Sequence, residues 1–147
     1  MNAPAIVIGH RAPAPACSLI QNEEGVMEQK ETALAVLKAI ATGTIPLDQF
    51  TAAARWWWNG GIDISVAEFA GLLETLHAQT TNGIRVMPGL VMEDSEHLMV
   101  EATSRAALKN GRIYDNRYIF LFRFDGNRIA LVKEYSDSAH VKDVFAL

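Results

Sequence analysis

The chain has 147 residues, the length of one ordinary domain. Half of them (50%) are hydrophobic and 20% are charged, which excludes a largely disordered chain and leaves enough apolar side chains for a core without disulfide or metal support. A formal net charge of −4 provides no global basic field to draw nucleic acid or an anionic membrane, so neither is expected as a partner.

Residues 1–26 place Pro4, Pro13 and Pro15 among alanines without sustained periodicity, and read as a flexible leader before a domain over 27–147. The one cysteine, Cys17, cannot form an internal disulfide, which fits a reducing compartment. The longest apolar run near the start, Ala5–Ile8, is too short for a secretion signal or a membrane span. The expected location is therefore cytoplasmic. The four histidines, His10, His77, His97 and His140, are scattered and show no zinc-site spacing, so no metal or cofactor is expected.

From Glu28 to Thr42 the apolar residues Ala33, Leu34, Leu37, Ile40 and Ala41 recur at helical spacing, and Gly43 is a fitting stop. Pro46, Leu47, Phe50 and Ala54 predict a short second helix. The aromatic run Trp56-Trp57-Trp58 before Asn59-Gly60-Gly61 reads as a short strand or an extended entry. Ser65 with Glu68 has capping-box spacing and opens a third helix with the stripe Phe69, Leu72, Leu73 and Leu76.

The second half changes period. Strands are predicted over Ile84–Glu93, with Pro88-Gly89 distorting the run, then His97–Leu108, Ile113–Phe124 and Arg128–Ser136. Asn110-Gly111 and Asp125-Gly126-Asn127 mark hairpin turns. Asp137 or Ser138 can cap a short closing helix through Val144. Helices followed by a meander of strands indicate an α+β fold with an antiparallel sheet; such a sheet, if strongly curved over the helices, would enclose a conical cavity.

Gly111-Arg112-Ile113-Tyr114-Asp115-Asn116-Arg117-Tyr118, the run Phe120–Ile129, and Glu134-Tyr135-Ser136-Asp137 resemble the C-terminal signature of the SnoaL-like family. That family belongs to the nuclear-transport-factor-2-like superfamily, which includes polyketide cyclases and ketosteroid isomerase. The resemblance covers about residues 28–146. It implies a cone-shaped, cystatin-like α+β fold with three N-terminal helices on the curved sheet and a short C-terminal helix. It also implies a pocket between sheet and helices, and a homodimer through the outer face of the sheet. No complete catalytic set carries over; where ketosteroid isomerase places an acid on the fourth strand, this chain has Phe120.

Strand alternation turns the resemblance into a list of residues. The even set Tyr114, Asn116, Tyr118, Phe120, Phe122 and Phe124 faces the cavity, and Ile119 and Leu121 face out. The signature's register puts Val132, Glu134 and Ser136 inside. Matching the hairpin at Gly111 puts Glu101, Thr103 and Arg105 inside as well. Trp56 or Trp58 closes the pocket. Glu134, Glu101 and Tyr118 are then the catalytic candidates, and Asn116, Thr103, Arg105, Trp56, Trp58, Tyr114, Phe120 and Val132 the ligand contacts. A carboxyl in an apolar cavity has a raised pKa and can take a proton from a carbon beside a carbonyl, while a tyrosine donates to the developing oxyanion. Structural roles compete with these: Glu101 can pair with Arg105, and Glu134 can bond a backbone amide or Arg112. The expectation is a cofactor-independent cyclase, isomerase or dehydratase acting on a small apolar carbonyl compound, or a non-catalytic binding or dimerisation module of the same fold.

Overall fold

The helical spacing around Ala33, Leu34 and Leu37 produces helix α1 (Ala16–Ala39) in the computed structural model, which describes residues 16–147. Helix α1 starts at Ala16, inside the stretch read as an irregular leader; residues 1–15 lie outside the described residues. A 3-10 turn, Ile40–Thr42, extends it to Gly43, whose φ of 73° needs no strain in a residue without Cβ.

The helix expected near Leu47–Ala54 does not form. Leu47–Gln49 is a single 3-10 turn, and Phe50 already begins strand β1 (Phe50–Trp58). The alanines of β1 look helical in isolation, but Ala54, Trp56 and Trp58 are buried on one face, the period of a strand. Strand β2 (Ile62–Ser65) folds back on β1. Ser65 then caps helix α2 (Val66–Ala78) in a full capping box: its Oγ accepts from the Glu68 N–H, and Glu68 accepts from the Ser65 N–H.

Strands β3 (Arg85–Glu93), β4 (His97–Ala107), β5 (Ile113–Asp125) and β6 (Arg128–Ser136) follow, and helix α3 (Ser138–Val144) is capped by Asp137, which accepts from the His140 N–H at 3.1 Å. The β3 register slips between Pro88 and Val91, where the proline lacks a ladder donor.

The six strands form one curved sheet in the order β2-β1-β6-β5-β4-β3. Neighbours are antiparallel except β1 and β6, which run parallel, so the sheet is mixed. The helices cover its concave face. The core between them includes Val36 and Leu37 of α1, Phe69 and Leu73 of α2, and Phe120, Phe122, Ile129 and Val132 of the sheet.

The β4–β5 register corrects one sequence expectation. A two-residue Asn110-Gly111 turn would pair Lys109 with Arg112 and set odd positions of β4 beside even positions of β5. Instead Ala107 pairs with Ile113, and residues 108–112 form the connection. Even positions therefore meet even ones: Ala102 faces Tyr118 and Ser104 faces Asn116. Ala102, Ser104 and Ala106 are buried, while Glu101, Thr103 and Arg105 stand exposed on the outer face. A slip of one residue reverses a whole strand face.

Candidate functional site

Between the concave face of the sheet and the helices lies a cavity. Its walls come from α2 (Phe69, Leu72, Leu73, Leu76), β1 (Trp58), β5 (Tyr114, Tyr118, Phe120) and the α3 end (Val141, Phe145), with Glu134 of β6 among them. It offers about 70 Å³ to the centres of water-sized groups, several times the space one water needs. Among the described residues that line it, Glu134 is the one charged side chain.

Glu134 reaches this place because Trp58 of β1 is its partner across the parallel β1–β6 ladder. Its Oε2 accepts from the indole N–H of Trp56 at 2.9 Å. Trp56 is held in turn by stacking on Phe69, with ring centroids 3.7 Å apart and planes within 5°. Burial raises the Glu134 pKa to about 7, against the opposing pull of the Trp56 N–H, which favours the ionised form. A carboxyl poised there can both accept and return a proton near neutral pH.

Beside it, Tyr118 and Tyr114 share a hydroxyl contact at 2.5 Å, and Ser104 Oγ lies 2.8 Å from the Tyr118 hydroxyl. Burial pushes the Tyr114 pKa up to about 12. Burial, then the neighbouring Tyr114 and Glu134 charges, pushes Tyr118 well above its ordinary value. Both phenols are thus neutral hydrogen-bond donors across the working pH range.

The architecture can be compared with solved structures. Neither a protein-family model nor a curated protein sequence matches the chain. A protein from Jannaschia described as a SnoaL-like polyketide cyclase aligns with a TM-score of 0.68 at 13% identity, over 79% of this chain and 90% of that one. An NTF2-like protein of unknown function from Burkholderia pseudomallei gives 0.69 at 18%, over 82% and 98%. The chain has the NTF2-like fold. The BvnE pinacolase from Penicillium brevicompactum shares it too, with a TM-score of 0.70 at 18% identity, over 80% of this chain and 88% of that one. Identities this low carry the fold and leave the chemistry to the site.

Within the NTF2-like cone the sequence-derived candidates separate into three groups. Glu134, Tyr118, Tyr114, Phe120 and Trp58 line the cavity together. Trp56, Val132 and Asn116 are buried beside it without lining it: Trp56 holds Glu134, Val132 packs in the core, and Asn116 bonds Tyr114 and the Asp137 backbone. Glu101, Thr103 and Arg105 are on the opposite face of the sheet, for the register reason given above. Arg112, the other partner considered for Glu134, bonds Asp143 instead.

Sequence reasoning missed Ser104, which the same register error had turned outward. It also missed α2 as a wall of the cavity. The stripe Phe69, Leu72, Leu73 and Leu76 was legible as apolar, yet periodicity alone does not separate a packed face from a cavity face.

Proposed function

We propose that the cavity binds a small, largely apolar carbonyl compound and that Glu134 moves a proton at the carbon beside the carbonyl. The observation that carries this reading is a single carboxyl, raised toward neutrality, in an otherwise apolar cavity with phenolic donors in the same wall. The ionised carboxylate takes the proton; the C–H electrons move into an enolate whose oxygen is held by a tyrosine hydroxyl. The proton then returns to a different carbon; or the enolate carbon attacks a second carbonyl, whose oxygen takes the proton from Glu134 as its C=O π bond breaks; or a β-hydroxyl takes the proton and leaves as water. Isomerisation, cyclisation and dehydration all begin with that first step. Structures with this fold named as a polyketide cyclase and a pinacolase support a catalytic reading.

Exchange of the hydrogens beside the carbonyl of acetophenone and cyclohexanone in D2O, followed by proton NMR, tests it. Glu134→Gln should lower the protein-dependent rate by at least about 100-fold while leaving the fold intact. Unchanged exchange in that variant overturns the assignment. Ketone binding without exchange would make the domain a non-catalytic binding module.

The same reading includes a homodimer through the outer sheet face, supported by the half-buried Ile119, Leu121 and Leu131 and the 41% exposed Tyr135. It places the protein in the cytoplasm, supported by the single cysteine. No helix among the described residues is long and apolar enough to cross a membrane.

A further inference from the structure

Four buried polar side chains on the inner face of β4 and β5 form a hydrogen-bonded chain whose two middle members, Tyr114 and Tyr118, border the cavity. The direction of every bond except that between the two phenols can be fixed. Asn116 Oδ1 accepts from the backbone N–H groups of Arg117 (2.8 Å) and Asp137 (3.1 Å). Its Nδ2 therefore donates, to the Asp137 carbonyl and to the Tyr114 hydroxyl, each at 3.1 Å. At the other end, among the described residues, Ser104 Oγ has Tyr118 as its one partner. Ser104 is only 3% exposed, so its hydrogen goes to Tyr118; the reverse direction would strand a buried hydroxyl hydrogen.

Both ends of the chain are thus donors. Between them two phenols hold two hydrogens and share one contact. One hydrogen is spent on that contact. The other has no acceptor within this network, and both tyrosines border the cavity.

We propose that the ligand brings an acceptor oxygen, such as a ketone or aldehyde carbonyl, to this one unspent phenolic hydrogen. Asn116 and Ser104 are positioning residues: without touching the ligand, they keep that hydrogen from being consumed inside the protein. The inference rests on the carbonyl reading of the cavity and specifies which wall receives the oxygen. It also assigns a role to two residues outside the cavity lining.

The test reads the carbonyl stretching band of bound acetophenone, labelled with carbon-13 at the carbonyl, by infrared difference spectroscopy. At pH 9 Glu134 is ionised and cannot donate, while both tyrosines remain protonated. In the unaltered protein the bound band should lie at lower wavenumber than the ketone in hexane. Asn116→Asp replaces a donor with an acceptor. Three hydroxyl hydrogens then meet three internal contacts, and the band should return to its hexane position although both tyrosines are present. Tyr114→Phe combined with Tyr118→Phe should do the same, whereas either single change leaves one free hydrogen and a shifted band. An unshifted band in the unaltered protein overturns the proposal, as does a shift that survives in Asn116→Asp or in the double variant. The two approaches alter opposite partners of the same contact, so a failure of one variant to fold, seen by circular dichroism, leaves the other decisive. A shifted band without hydrogen exchange overturns only the acid/base role of Glu134. Exchange without a shifted band overturns only the inference drawn from the hydroxyl chain.

Discussion

Glu134 carries a stability cost beside the chemical role proposed for it, and the sign of that cost follows from its environment. Burial raises its pKa from 4.5 to about 7. Between those values the folded chain holds a proton that the unfolded chain has released, so stability falls as pH rises through that window. Below the window both states are protonated and the cost vanishes; above it the cost is complete. For a partly buried carboxyl with this shift it is on the order of 2–3 kcal/mol. Glu134→Gln should therefore melt higher than the unaltered chain at pH 8 and equally at pH 4, as read by thermal denaturation across pH. An equal melting temperature at pH 8 would mean that the carboxyl is better solvated than its surroundings indicate. The inward placement of Glu134 was expected from the resemblance: alternation puts Val132, Glu134 and Ser136 on one face, and the signature's register says which face is inside. Its partner was not. Trp56 lies 78 positions away on β1, and the hydrogen bond depends on the parallel β1–β6 ladder, which no local pattern announces.

At the scale of elements, legibility tracks how local the cause is. The α2 start is written in four residues, and the capping box forms as its spacing predicts. Ser65→Ala removes the side-chain acceptor for the Glu68 N–H and should cost ~1 kcal/mol, lowering the melting temperature by about 3 °C. Differential scanning calorimetry reads this directly; a change within error would show that packing of Phe69 and Leu73 alone holds the helix. The β4 faces were misread for an equally definite reason. Asn-Gly is a strong two-residue turn signal, yet here it lies within a longer connection tied down by the Leu108 N–H bonding the Arg112 carbonyl and by the bridge from Leu108 to Thr80. The bridge to Thr80 and the Lys109 N–H bond to the Gln79 carbonyl come from the α2–β3 loop, so tertiary structure helps to set the parity of the hairpin. The segment after Pro46 shows the opposite balance: its alanines favour a helix, and the burial of Phe50, Ala54, Trp56 and Trp58 against the sheet partners overrides them.

For the whole molecule, the two faces of the sheet divide its work. The concave face builds the cavity, and the convex face carries an apolar patch left uncovered by the described residues. Met99 lies beside Leu121, and Ile119 beside Tyr135, across the central strands. Trp57 extends the patch, with its ring 5.0 Å from that of Tyr135. Glu101, Arg117 and Arg123 rim it, the apolar centre and charged edge typical of an interface. A two-fold axis through this patch would place each of its residues against the same surface of a second copy. Each substitution there then acts twice. Ile119→Asp combined with Leu121→Asp should convert a particle of two chains into one of a single chain, read by light scattering after size exclusion at micromolar concentration. Both residues point away from the cavity, so the acetophenone band should persist in the monomer. A single-chain mass for the unaltered protein would remove the dimer and leave the patch without a second copy to cover it. Loss of the ketone band on separation would instead show that the two faces are coupled, with the partner holding the sheet at the curvature the cavity needs.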